Sequence, residues 1–539
     1  MRIVTADAAA SVVRSGDTVL IGGSGAGHAV PDELIAAVAR RFHATGQPRG
    51  LTSLHPVGLG DRGERGLSHW AHEGLLKRIV CGTLVDSPKV EAMAAANAVE
   101  AYTLPQGALS QLVREMAAGR PGLITHVGLH TLVDPRHGGG RQSACAAEDL
   151  VELVTVAGRE WLFYRPFHVD VCFIRGTTAD EDGNLTMEHE AIFGEMLSMA
   201  QATRRAGGVV VAQVKRVASR GSLPAKQVKV PGMLVDLVVV VPDQPQTYFT
   251  QYSAAYAGEL RVPLSEIPPL AFDPRKVIAR RAAMELHPGA VCNLGSGVST
   301  GVAAVAAEEG FLEDVVLTNE QGLIGGAPAT GNEPGAARNY MAIVDQPYQF
   351  DFYDGGGIDL AFLSFAQVDR HANVNVSRFG GRIIGIGGFV NISQNAKKVM
   401  FSGTLTAGGL AIDWPGGATR IAREGRELKF VDAVEQLSYS GPYGRERGQE
   451  TLFITERAVF RRDDSGAGGL ELVEVAPGVD VRRDVMERMA FAPRVSPALK
   501  TMDARLFRPE PMGLAADIRG KPRRWTSPRL AELEGKDPA

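Results

Sequence analysis

Cysteine is scarce in this 539-residue chain. Cys81, Cys145, Cys172 and Cys292 stand singly with no Cys-x-x-Cys, which argues against a zinc knuckle or a redox dithiol and for a reducing, cytoplasmic setting. Long apolar runs are missing too. The first residues are interrupted by Arg2, Asp7, Arg14 and Asp17, unlike a secretory leader. The most apolar stretch, 234–241, contains Asp236 and stops at Pro242, far short of the roughly 20 residues that a membrane helix needs. Nor is there an excess of one charge. The 57 basic and 61 acidic residues leave −4, so no basic footprint marks a nucleic acid or an anionic membrane as partner. Any phosphate must be bound locally.

The length argues for two to four domains at about 150 residues each. Residues 17–23 read as a strand, 24–27 as a glycine turn and 31–42 as a helix, with Leu34, Ile35, Val38 and Phe42 at helical spacing and Pro31 in the first turn. Residues 78–82 and 169–175 read as buried strands and 106–118 as a helix, an alternation that predicts largely parallel α/β sheets. Prolines cluster between Pro231 and Pro269, which places a linker at 246–274. It separates an α/β domain at 1–245 from a second at 275–515, and residues 516–539 read as a charged surface tail. The second domain opens on another strand, glycine turn and helix at 289–309. Its Gly295-Ser296-Gly297 echoes Gly23-Ser24-Gly25, a weak sign of two tandem domains of similar fold.

Residues 315–318 form an apolar strand pattern that runs into Asn319-Glu320-Gln321-Gly322, with further glycines at 325 and 326. Ligands of α/β sheets bind beyond the carboxyl ends of strands, and missing side chains let a bulky substrate reach the Glu320 carboxylate, which suits covalent work. A solvated turn residue is the plainer alternative. At 382–388 a strand pattern enters Gly385-Ile386-Gly387-Gly388, where backbone N–H groups can approach an oxyanion, although a tight bend reads equally well. Asn375 offers an amide donor nearby. Gly297-Val298-Ser299-Thr300-Gly301 fits a serine hydrolase elbow, and Gly295, Gly297 and Gly301 followed by Glu320 imitate a dinucleotide fingerprint with its third glycine one place late. What survives from both patterns is a helix start able to take a phosphate. His69 and His72, like His126, His130 and His137, have ligand-like spacing, but Gly128, Asp134 and Pro135 break the helix that would align the latter set, and no metal site is read.

Taken with the motifs Gly22-Gly-Ser-Gly-Ala-Gly-His-Ala-Val-Pro31, Leu104-Pro-Gln-Gly107, Val133-Asp-Pro-Arg136, Val230-Pro-Gly-Met-Leu-Val-Asp236 and Glu320-Gln-Gly-Leu-Ile-Gly325, the chain resembles the family I CoA-transferases of the fused, single-chain kind. It is similar to acetate and propionate CoA-transferases and more distantly to succinyl-CoA:3-ketoacid CoA-transferase. The likeness covers residues 1–515. It implies reversible transfer of CoA from a short-chain acyl-CoA to a carboxylic acid, with CoA as co-substrate, no tightly bound cofactor and no metal, in a homo-oligomer.

The same resemblance implies that Glu320 attacks the thioester and passes through an anhydride to a glutamyl-CoA thioester. A glutamate near its reference pKa of about 4.3 is ionised at neutral pH and needs no separate base. Gly387 and Gly388 match the backbone oxyanion motif, and Asn375 matches the asparagine that faces the substrate carbonyl. Gln106 and Gly107 belong to the Pro-Gln-Gly that meets the substrate carboxylate, while Gly25 and Gly27 shape the acyl pocket. The turn Gly295, Ser296, Gly297 and Val298 would lie along CoA. Two departures stand out: Asn319-Glu-Gln-Gly replaces the Ser-Glu-Asn-Gly of the ketoacid enzymes, and Cys81-Gly-Thr-Leu-Val85 stands where acetate-like members carry Gly-His and an aromatic residue. An acyl-CoA hydrolase, or a transferase acting on an acyl carrier protein as in malonate decarboxylase and citrate lyase, would share the fold. A non-catalytic CoA-binding module would not need Glu320.

Overall fold

The computed structural model describes residues 1–329, 331–463, 468–522 and 530. The first half builds an eight-stranded sheet in the order Arg2–Val4, Leu237–Val240, Val209–Val214, Val171–Arg175, Thr18–Ile21, Leu51–His55, Leu76–Cys81, Glu100–Thr103, with all neighbours parallel. Val171–Arg175 is buried along its whole length because helices cover both faces. On one face, Leu109 and Leu112 of helix Gln106–Ala117 pack with Met199 of helix Met196–Arg205. On the other, helix Asp32–Thr45 buries Leu34, Ile35 and Val38, the positions its periodicity predicts. That helix stops at Gly46, whose φ of 71° is left-handed and lets its N–H bond Phe42 O.

The second half holds a ten-stranded sheet in the order Ala342–Ile343, Leu323–Ile324, Val316–Thr318, Val291–Leu294, Leu360–Ser364, Lys398–Ser402, Glu450–Ile454, Ala458–Arg462, Leu470–Val475, Arg494–Thr501. Its centre, from Val316–Thr318 to Glu450–Ile454, is parallel, as expected. Antiparallel pairs are added on both sides, because the turns after Thr318 and Ile454 are too short for a parallel crossover. Among the described residues no helix is long and apolar enough to cross a membrane.

The proline-rich segment touches both halves: Thr247 donates to Glu333 Oε1 at 2.6 Å, Val262 N donates to Asn339 Oδ1 at 2.8 Å, and Leu264, Ile267 and Leu270 pack on the second core. Tyr248 lies under Gly27 and donates its hydroxyl to Asp32 Oδ1 at 2.7 Å. The first α-helix after this segment is Pro274–Ala283, whose Asp273 cap accepts from Arg275 N and Lys276 N at 2.8 and 3.1 Å. The expected tail starts within a helix, Leu514–Arg519, whose Leu514 and Ile518 are buried in the second core; residues 523–529 and 531–539 lie outside the described residues.

Each sheet has one place where strand order reverses, the usual location of a ligand crevice. In the first it falls between Thr18–Ile21 and Val171–Arg175, and in the second between Val291–Leu294 and Leu360–Ser364. The two Gly-Ser-Gly turns leave the sheets at these points. They open onto one shared cleft.

Candidate active site

The cleft has a volume of about 310 Å³ and takes walls from both halves: Ser24, Gly25, Asp86 and Gln106 from the first, Ser296, Glu320 and Gly388 among those from the second. A separate groove of about 380 Å³ beside Lys398, Glu450 and Arg461 sits at the amino ends of strands Lys398–Ser402 and Glu450–Ile454, the wrong end for a ligand of a parallel sheet.

Glu320 projects from a turn made rigid by its neighbours. Asn319 Oδ1 accepts the N–H groups of Gln321 and Leu323 at 3.1 and 3.3 Å, and Asn319 Nδ2 donates to Gly335 O at 2.8 Å. Gly322 has φ of 100°, and a Cβ there would overlap the Val344 carbonyl, so glycine is required directly after the Glu-Gln pair. A Cβ on Gly388 would overlap Glu320 Oε2. The carboxylate therefore rests on bare backbone across the cleft.

Gln321 Nε2 donates to Glu320 Oε1 at 3.3 Å and reaches Ser24 Oγ at 3.5 Å, so a residue that departs from the ketoacid pattern ties the Glu320 turn to the first half. Burial pushes the Glu320 carboxyl up to about 7, and the Gln321 hydrogen bond offsets this in part. This corrects the expectation of a fully ionised glutamate at neutral pH: the desolvation comes from chain far away in sequence.

The glycine turn of the second half is held by the first. Gly82 O accepts from both Ile386 N and Gly387 N, at 2.9 and 2.8 Å, and Gln106 N donates to Gly387 O at 2.9 Å. The Gly387 N–H is thus already engaged, which leaves the donor expected of this pair to Gly388, at the start of helix Phe389–Asn395.

The other expected residues divide into those that line the cleft and those that support it. Gln106, Gly25, Gly295 and Ser296 line it. Asn375 does not: it is fully buried, Nδ2 donates to Gln367 Oε1 and Arg378 O at 2.7 and 2.6 Å, and Oδ1 accepts from Ser377 N at 2.9 Å. Both ends of its carboxamide serve its own turn. Gly107 lies against Phe350 and donates its N–H to Asn391 Oδ1 at 3.1 Å, while Gly27, with φ of 81°, lies against the Tyr248 ring. Gly297 and Val298 are set back, and Thr300 and Ser364 take their place on the wall. Ser299 is buried and faces the Ser364 hydroxyl at 3.3 Å rather than a histidine, which removes the hydrolase elbow.

Sequence reasoning missed Asp86 and Arg62. Burial pushes the Asp86 carboxyl up to about 6, opposed by Arg62, whose Nε is 3.7 Å away. A carboxylate shortly after the end of strand Leu76–Cys81 was the available signal.

A family model described as Coenzyme A transferase matches residues 3–241. An acetate CoA-transferase of Escherichia coli, YdiF, is 42% identical over 512 residues, which cover 95% of this chain and 96% of that one. The chain belongs to the coenzyme A transferase family. A caffeate CoA-transferase of Acetobacterium woodii is 43% identical over 515 residues, covering 94% and 97% of the two chains. Among solved structures, an E. coli acyl-CoA transferase, YdiF, in thioester complex with CoA matches with a TM-score of 0.90 and 42% identity, over 95% of this chain and 97% of that one. As a member of this family the protein is a CoA-transferase with CoA as its co-substrate.

Proposed function

We propose that the protein moves CoA from a short-chain acyl-CoA to a carboxylic acid in two half-reactions joined by a thioester on Glu320. The observation that carries this is the Glu320 carboxylate, held in the cleft between the halves against the bare backbone of Gly388. In the first half-reaction a Glu320 oxygen attacks the thioester carbon and the C–S bond breaks, giving an acyl-glutamyl anhydride and CoA thiolate. The thiolate then attacks the glutamyl carbonyl and expels the donor acid as its carboxylate. The acceptor carboxylate runs the same steps backwards. No proton transfer is required once Glu320 is ionised.

Gly388 N–H faces the oxyanion, Gln106 meets the acid carboxylate, Gly25 borders the acyl group, and Gly295 with Ser296 follows CoA. Residues 1–245 form the acyl-binding domain and 275–515 the nucleophile domain. Three buried cysteines and an exposed Cys145, all free, suit a reducing cytoplasm, and a homo-oligomer is expected, to be read by sedimentation.

Incubation with acyl-CoA and no acceptor acid should leave a CoA adduct on the peptide containing Glu320, read by peptide mass mapping. Glu320→Ala should form none and lose about 1,000-fold or more in transfer. Transfer without an adduct would sink the reading, and steady release of CoA thiol with no acid present would identify a hydrolase instead.

A further inference from the structure

A second carboxylate lies at the junction of the halves, behind Gln106. Glu195 is 1% exposed and directly precedes helix Met196–Arg205. Its Oε2 accepts from Ser110 Oγ at 3.0 Å and from Gln346 Nε2 at 2.8 Å, and the same Gln346 nitrogen donates to Ser110 Oγ at 2.6 Å. Gln346 therefore turns its oxygen the other way, where it accepts from Gln106 Nε2 at 3.2 Å. At the far end Gln106 Oε1 lies beside Gly387 on the cleft wall, buried with no partner, and Glu195 Oε1 is likewise without one.

This polarity has one source. An ionised carboxylate only accepts, so it takes the nitrogen end of Gln346, which can then offer only oxygen to Gln106. Gln106 is left presenting an acceptor where a substrate carboxylate needs a donor. If Glu195 carries a proton, the row inverts: its O–H donates to Gln346 Oε1, Gln346 Nε2 donates to Gln106 Oε1, and Gln106 Nε2 turns to the cleft. The unpartnered Gln106 oxygen is satisfied in that arrangement.

We propose that Glu195 is a positioning residue which, through Gln346, sets whether Gln106 offers the cleft an acceptor or a donor, and that binding of the acid substrate draws one proton from solvent onto Glu195. The proposal rests on the reading above, in which Gln106 meets the acid carboxylate. Burial pushes the Glu195 carboxyl up to about 7, the Ser110 hydrogen bond holds it down in part, and the charge of Asp345 raises it further. The groups that face it are few. Asp345, at the start of helix Gln346–Asp354, lies 3.7 Å from Lys229 Nζ; the Cys172 thiol on Val171–Arg175 is kept neutral by burial; helix Gln106–Ala117 presents the Ser110 hydroxyl.

The test uses enzyme already carrying CoA, in which Glu320 is esterified and cannot titrate. Its adduct is verified first by peptide mass, and absence of the adduct would overturn the Glu320 reading rather than this one. Transfer to acetate is then followed against acetate concentration from pH 6 to 8. Wild type should show half-saturation rising about tenfold, as expected when the competent form needs one proton with a pKa near 7, with the rate at saturating acetate changing far less. Glu195→Gln and Gln346→Leu, each accepted as folded if it forms the adduct, should show a flat half-saturation across the same range. A wild-type slope that persists in either variant overturns the proposal.

Discussion

Burial acts on Glu320 in two ways. It makes the carboxylate a stronger nucleophile when ionised and reduces the fraction ionised at neutral pH, since its pKa stands at about 7. The rate of adduct formation at low acyl-CoA should therefore rise with pH and level off above about 7. Stability moves the other way. The folded pKa lies above the unfolded value of about 4.3, so the folded state binds the proton more tightly; this contribution is complete below the unfolded pKa and is lost as pH rises through about 7. Ionising the buried group costs on the order of 3 kcal/mol. Glu320→Gln should consequently melt above wild type at pH 8 and with it at pH 4.5, measured by calorimetry. Gly388→Ala is a second residue-scale test: its Cβ would overlap Glu320 Oε2, and about 100- to 1,000-fold in turnover should be lost with the fold intact by circular dichroism. Glu320 was legible as a candidate because glycines surround one carboxylate at a strand end. Its protonation was not, since the atoms that desolvate it arrive from elsewhere in the fold.

Among the elements, those with a clear period were legible. Helix Gln106–Ala117 and strand Val171–Arg175 follow their apolar patterns to within two residues. The short strands Val374–Asn375, Arg378–Phe379 and Arg382–Ile383 carry too few residues for a period, and the function of Asn375 was hidden with them. In sequence it is an exposed-looking amide near a glycine run; in the fold its carboxamide replaces backbone hydrogen bonds that these short strands cannot make. Asn375→Ala leaves Arg378 O and Ser377 N without that partner. A loss of about 1–3 kcal/mol is expected in urea denaturation, while the CoA adduct on Glu320 still forms. The Gly-Ser-Gly echo, weak as a motif, has a topological basis: each copy leaves its sheet where strand order reverses.

At the scale of the molecule, the halves are joined by more than the chain between them. Arg382 pairs with Glu91 at 2.7 Å, Thr83 Oγ1 donates to Ile384 O at 2.6 Å, Gln111 reaches Asp354 at 2.9 Å and His126 reaches Asn395 at 2.7 Å. Unfolding should then be a single event. Single-tryptophan variants retaining Trp70, in the first core, or Trp414, in the second, should give the same denaturation midpoint; separated midpoints would show independent domains. The two successive N–H groups of Ile386 and Gly387 hang on one carbonyl, that of Gly82. Main-chain atoms form this clasp, so it depends on chain length and on glycine at 82 and 385, where a Cβ would overlap Pro56 O and the Gly82 carbonyl respectively. Lengthening the connection just after Gly82 by one residue would slip the clasp and carry the Gly387-Gly388 turn away from Glu320, even with every side chain of the cleft unchanged.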